Sequence, residues 1–177
     1  PEKLVSNQYF NDLYGKDIDS FLKEKRNIYQ RYFMADDQAT SDLIVPAAEK
    51  ALKQAGIAAK DVQLIIVATD TPDYISPSTA AVVQYKLQAN NAGCFDVNSA
   101  CAGFVTAVDM ANKYIQVDPA YENILVVGAY GMSRYLDWDD YKIASMFADG
   151  AGAVVISRTE EEGFLASELY ADGQYHD

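Results

Sequence analysis

An α/β layered fold is what this sequence predicts, and three observations carry the prediction. Two continuous apolar runs, Leu64-Ile65-Ile66-Val67 and Ile124-Leu125-Val126-Val127, have the character of strands buried on both faces. Stretches with apolar residues at helical spacing lie between such runs. No internal repeat, linker or low-complexity tract interrupts the alternation over the 177 residues. Half of the residues are hydrophobic, and a chain of this length buries roughly 70% of its unfolded surface, so one compact unit over residues 1–177 is expected.

Taken in order, the stretch Thr40 to Gly56 spaces Leu43, Ile44, Ala47, Ala48, Ala51, Leu52 and Ala55 as a helix does. It opens on the cap candidates Thr40, Ser41 and Asp42 and stops at Gly56. Pro46 is expected to kink the first turns or delay the helix start. Val62 to Thr69 is the first buried strand, and the Pro/Ser loop Thr71 to Ser78 leads into a helix from Thr79 to Gln88. Gly93 to Asn98 is a short strand, followed by a helix from Cys101 to Gln116 with Phe104, Val105, Val108, Tyr114 and Ile115 available to pack. Asn123 to Ala129 is the second buried strand, and Met132 to Tyr141 reads as loop or short helix. Ala151 to Ser157 and Phe164 to Tyr170 close the chain as two strands joined through the turn Glu160 to Gly163, adding an antiparallel edge.

Charge narrows the function classes. The formal net charge is −12, and residues 1–60 hold 9 basic and 9 acidic side chains, so the whole excess lies in residues 61–177. Such a balance argues against nucleic acid as a ligand, which draws on surplus Lys and Arg. Within the neutral first part, Lys23, Lys25, Arg26 and Arg31 cluster against Glu24 alone, which makes a candidate anion site or a solvated face. No apolar run approaches the ~20 residues that span a bilayer, and no charged-then-apolar leader opens the chain, so a soluble cytoplasmic protein with no membrane contact is expected. The two cysteines, Cys94 and Cys101, suggest no disulfide framework, and the single histidine, His176, supports no zinc site. Gly128-Ala129-Tyr130-Gly131 and Gly150-Ala151-Gly152 do not complete a dinucleotide-binding G-x-G-x-x-G. Asp149 to Gly152 reads instead as a turn feeding the last strands.

Cys101 is the chemical candidate. It follows the short strand Cys94 to Val97 through Asn98-Ser99-Ala100 and stands at the opening of a helix. Helix N-termini favour thiolates, and their free amides can hold a developing oxyanion. Ser99, Ala100, Ala102 and Gly103 permit a tight turn and a close substrate approach. A buried structural cysteine is the competing reading; from spacing alone it is the better one for Cys101 and more strongly so for Cys94, inside the strand.

The segments DVNSACAGF (Asp96 to Phe104), ILVVGA before Arg134, MFADGAGAVV (Met146 to Val155) and ADGQY (Ala171 to Tyr175) together resemble β-ketoacyl-acyl-carrier-protein synthase III, a thiolase-fold condensing enzyme. The likeness runs from KRNIYQR (Lys25 to Arg31), against the family's R-T-G-I-x-x-R, to the C-terminus. It implies a thiolase-like layered fold, of which this chain is the N-terminal half, beginning past the family's first strand. It also implies that Cys101 is the nucleophile that takes an acyl primer from acyl-CoA or a carrier-bound thioester. Malonyl-acyl carrier protein then decarboxylates and condenses with that acyl group in fatty-acid or polyketide initiation.

The family's His and Asn that bind the malonyl thioester belong to the second half, and His176 has no counterpart among them. CoA or carrier-protein thioesters are substrates on this reading, and no cofactor or metal is implied. Acyl carrier protein and a second copy in a homodimer are the implied partners. The acidic second part should repel an acidic carrier protein, so docking would rely on a local basic patch. The alternatives are acyl transfer to an alcohol or amine without condensation, and a non-catalytic partner subunit. Alone, such a half would expose the face that meets its second half and is expected to be insoluble or inactive.

The resemblance also places the substrate. Phe21 falls at the family's aromatic adenine contact and Lys25 at its basic phosphate contact, whereas Tyr141 stands where a second stacking Arg is expected, so a cation is lost there. Ser76, before Pro77-Ser78, replaces a Phe common in short-chain-primed members that reaches across the dimer. A larger acyl pocket follows, with Met132 in its wall. Asn27 replaces a Gly, which suits Asn because it also visits the left-handed region, and Ala148 replaces the first Gly of the GDGAGA run.

Overall fold

Successive side chains of one strand, Leu64–Ala68, decide the architecture of the computed structural model, which describes residues 1–161 and 163–175. Ile65 and Val67 point to one face and Leu64, Ile66 and Ala68 to the other, and all five are buried. Covering both faces takes a helix layer on each side, and each fully buried aliphatic side chain contributes about 1.5–3 kcal/mol.

The chain meets this need with twelve elements. Strand β1 (Lys3–Ser6), helices α1 (Asn7–Tyr14) and α2 (Asp19–Arg26) and strand β2 (Gln30–Phe33) form an N-terminal layer, with β1 and β2 paired antiparallel. Helix α3 (Thr40–Ala55), β3 (Leu64–Ala68), α4 (Thr79–Lys86), β4 (Gly93–Val97), α5 (Gly103–Val117), β5 (Asn123–Gly131), the single-turn α6 (Tyr141–Ala144) and β6 (Asp149–Ser157) follow. The main sheet has the order β4-β3-β5-β6, parallel except for β6, which runs antiparallel to β5 from Asn123↔Ser157 to Gly131↔Asp149.

Helices α3 and α4 cover one face through Ile44, Ala48, Leu52, Ala80 and Val83. Helix α5 covers the other through Ala107, Ala111 and Ile115. A satellite core of Val5, Phe10, Ile18, Leu22 and Phe33 joins the N-terminal layer to Trp138, Tyr141 and Met146. Among the described residues no helix is long and apolar enough to cross a membrane.

Helix α3 opens at Thr40 and runs through Pro46, so the proline does not delay the start. The Ala39 amide donates to the Asp42 carboxylate at 2.8 Å, and burial of Ile44, Ala48 and Leu52 outweighs the roughly 3 kcal/mol that an interior proline costs. Asn27 ends α2 with φ 56°, the left-handed conformation expected of it, and Gly56 ends α3 with φ 71°.

Two corrections concern the last strands. Asp149 to Gly152 are not a turn, because β6 begins at Asp149 and extends the ladder to the end of β5. Phe164 to Tyr170 form no strand. That segment is tethered by Ser167, which donates to Asp109 on α5, and Leu165, Leu169 and Tyr170 remain exposed. Apolar content alone does not make a strand: the outer edges of β4 and β6 stay unpaired among the described residues, and this segment is held at α5 instead. The Glu160 to Gly163 turn and His176 involve residues outside the described ones.

Candidate active site

Strand β4 ends at Val97, and the next residues are folded by local hydrogen bonds. The Asn98 side chain accepts from the Ala100 amide at 3.2 Å, the Ala102 amide donates to the Ser99 carbonyl at 3.1 Å, and a single 3-10 turn spans Ala100–Ala102. Cys101 sits in that turn, exposed, and α5 opens two residues later at Gly103. Ala100 has φ +44°, a conformation that costs a non-glycine residue about 1–3 kcal/mol and persists where the surroundings over-determine it. Asp96 is part of that over-determination. Its carboxylate accepts the Thr79 and Ala80 amides, each at 2.7 Å, and so ties the end of β4 to the start of α4.

Two glycines let the turn settle on the sheet. A Cβ on Gly103 would meet the Ala68 Cβ at 3.3 Å, and one on Gly128 would meet the Phe104 ring at 3.2 Å. Helix α5 therefore starts directly over the C-terminal ends of β3 and β5. At its other end the Arg158 guanidinium donates to the carbonyls of Ile115, Asp118 (2.8 Å) and Tyr121 (3.2 Å), a cation at the negative pole of the helix.

Cys101 opens into a cleft of about 470 Å³ lined with Ala68, Phe104, Gly128, Tyr130, Phe147 and Gly150 among others. Burial, with smaller contributions from Asp70 and Cys101, pushes the Tyr130 hydroxyl up from its ordinary range, so it stays protonated. Sequence reasoning missed Tyr130. The signal for it is strand alternation, once β5 is extended past Ala129 to Gly131. The same extension puts Met132 in the turn beyond the strand, and Met132 is not among the residues that line the cleft. Cys94 is half-buried, and burial followed by Asp96 pushes its thiol up, which fits the structural reading. Among the described residues no histidine lines the cleft, and no cluster of side chains suits a metal.

Asp149, buried, holds the far rim together. It accepts the Met34 and Ser133 amides at 2.8 Å each and the Ser133 hydroxyl at 2.5 Å, joining β2, the turn after β5 and β6.

A second groove, about 470 Å³, runs between α2 and α6. Phe21 and Tyr141 both line it. Lys25 does not, and the other basic residues of its cluster divide. Lys23 pairs with Asp19 at 2.7 Å, Arg31 is buried, and only Arg26 reaches the groove, its guanidinium 5.1 Å from the centre of the Phe21 ring. Lys16 and Lys142 also line the groove, as does the carboxylate residue Asp17, and the Lys16 ammonium lies 4.0 Å from the centre of the Tyr141 ring. A cation thus stands over the tyrosine that replaces one in sequence. Lys142 adjoins Tyr141 along the chain, whereas nothing local signals Lys16. Ser76 lies in the exposed β3–α4 loop and lines neither cavity.

The family model for 3-oxoacyl-[acyl-carrier-protein (ACP)] synthase III matches residues 95–173, which include Cys101 and the whole of α5, β5 and β6. β-Ketoacyl-[acyl-carrier-protein] synthase III of Xanthomonas campestris pv. campestris is 42% identical over 173 residues, 98% of this chain and 53% of the relative. The Clostridium perfringens protein of the same name is 42% identical over 178 residues, 100% of this chain and 54% of its own. The crystal structure of 3-oxoacyl-[acyl-carrier-protein] synthase III from Aquifex aeolicus superposes with a TM-score of 0.92 at 34% identity, covering 98% of this chain and 56% of that one. The priming β-ketosynthase of the R1128 polyketide pathway superposes with a TM-score of 0.87 at 28% identity, covering 92% and 48%. The chain spans about half the length of the curated relatives it matches.

Proposed function

We propose that this chain belongs to the β-ketoacyl-[acyl-carrier-protein] synthase III family and that Cys101 is its acyl-carrying nucleophile. The observation that carries the reading is the exposed thiol on a constrained turn at the start of α5, open to a cleft. The sulfur attacks the carbonyl of an acyl thioester. The tetrahedral oxyanion is stabilised by the amides that open the helix, and the donor thiolate leaves. Malonyl-acyl carrier protein then loses CO₂, and the enolate carbon forms a bond to the acyl carbon as the Cys101 sulfur departs. The His and Asn that this second step requires belong, on this reading, to a second half, and the 177 residues form the first. Exposed apolar residues on α5, Val105 and Val117, support that division.

The α2–α6 groove takes the nucleotide end of a CoA donor. Two aromatic rings with a cation over each suit stacking of a base beside phosphates. With Ser76 in place of an aromatic plug, the acyl site of a homodimer accepts a longer or aromatic primer. The acyl carrier protein as partner, CoA and carrier thioesters as the only small-molecule requirement, and a cytoplasmic location belong to the same proposal.

Incubation of the full-length protein with a panel of acyl-CoA thioesters, followed by peptide mass spectrometry, tests it. An acyl increment on Cys101 is expected, largest for a donor longer than acetyl. No increment on Cys101 from any donor, CoA- or carrier-borne, would favour a non-catalytic subunit. Acylation followed by transfer to an alcohol or amine, with no condensation product from malonyl-acyl carrier protein, would replace the second step.

A further inference from the structure

We propose that Arg31 is a positioning residue for the α2–α6 groove, holding its two walls in register without touching the ligand. The proposal rests on the reading of that groove as the nucleotide end of the CoA site. Arg31 is 5% exposed and does not line the groove. One terminal nitrogen donates to the Ser145 carbonyl at 2.8 Å, at the end of α6, and the other donates to the Asn7 side-chain oxygen.

Asn7 continues the connection. Its amide nitrogen donates to the Ile28 carbonyl at 2.7 Å, and the Ile28 amide donates to the Leu22 carbonyl of α2 at 3.0 Å. A hydrogen-bonded path thus runs from the helix that carries Phe21 and Arg26, through Asn7 and Arg31, to the helix that carries Tyr141 and Lys142. Along the chain the two walls are more than a hundred residues apart, and α6 is a single turn that cannot hold its own position.

Packing alone does not call for a guanidinium here. Its plane lies 4.5 Å from the centre of the Phe10 ring, Nε finds no acceptor, and among the described residues no carboxylate pairs with it. Burial without such a partner pushes the guanidinium down from its ordinary range, the mark of a desolvated cation. A methionine of similar reach fills the space without that desolvation, and such replacements are often neutral or stabilising. What methionine cannot supply is two donors at a set spacing, one for each wall.

The experiment uses the full-length protein, with CoA as the probe in isothermal titration calorimetry and iodoacetamide alkylation of Cys101 as a readout of the separate cleft. Arg31→Met and Arg31→Lys are expected to weaken CoA about tenfold, since displacement of a binding wall by even 1 Å is costly. Alkylation and the folded circular dichroism should be unchanged. Asn7→Asp keeps an acceptor for Arg31 but cuts the link to Ile28, so it should weaken CoA in the same direction. It also serves if Arg31→Met does not fold.

Unchanged CoA affinity in the Arg31 variants, with Phe21→Ala weakened, overturns the positioning role and leaves the groove reading standing. Unchanged affinity in Phe21→Ala as well overturns both. Loss of CoA binding together with altered alkylation marks a general loosening and also overturns the role.

Discussion

The cleft at Cys101 and the groove between α2 and α6 are similar in volume but built in opposite ways. Backbone makes the cleft: a residue at φ +44°, two glycines against neighbouring side chains, and a helix start seated on parallel strands. Side chains make the groove, with its cations arriving from α2, from the loop before it and from α6. A site of the first kind tolerates little change within one short segment. A site of the second kind can exchange its charged residues among distant positions, as the pairing of Lys16 with Tyr141 illustrates.

If the two sites are separable, Cys101→Ala should abolish the acyl increment in mass spectrometry altogether while CoA affinity in calorimetry stays at the wild-type value. A parallel fall in affinity would break the distinction. Next in size, Phe21→Ala and Tyr141→Ala should each weaken CoA about tenfold, the scale of one base–aromatic stack, and leave iodoacetamide reactivity of Cys101 unchanged. Lys25→Ala, outside the groove, should do neither.

The smallest effect concerns the segment after β6. Its Asp109 tether is held below the ordinary carboxylate range, first by the Lys113 ammonium and then by the Ser167 hydroxyl. The folded state therefore favours the ionised form. The resulting stability is fully present above the unfolded value of about 4 and is lost as the pH falls through the lower folded value. Hydrogen-exchange protection around Ser167, relative to the intrinsic rate at each pH, should fall below pH of about 4, and Asp109→Asn should show the lower protection already at neutral pH. Equal exchange in variant and wild type would dissolve the tether.

Much of the scaffold was legible because its signals are local. Leu64 to Val67 and Ile124 to Val127 are apolar at every position and became the two central strands. Gly56 and Asn27 mark helix ends through their own backbone preferences. Cys101 was legible by its place between a strand and a helix with small neighbours. Other features were not. Phe164 to Tyr170 carry strand-like residues, yet the segment is held against α5 through Ser167 and Asp109 instead of pairing with an open sheet edge. Met132 and Lys25 lie close in sequence to Tyr130 and Arg26, which do line the two cavities, and which neighbour enters a cavity is set by the packing of strand and helix, not by sequence proximity. Arg31, counted in sequence with a basic surface cluster, is buried by contacts with Asn7 and with Ser145, 114 positions away.

By itself the sequence determined the α/β alternation, the two-faced strands and the turn that presents Cys101, because strand burial, helix spacing and left-handed stops are steric rules that act over a few residues. Tertiary structure alone decided that Tyr130 enters the cleft, that Lys16 stands over Tyr141 and that Arg31 joins the groove walls. These are meetings between segments far apart in the chain, and what pairs there depends on which surfaces the core brings into contact.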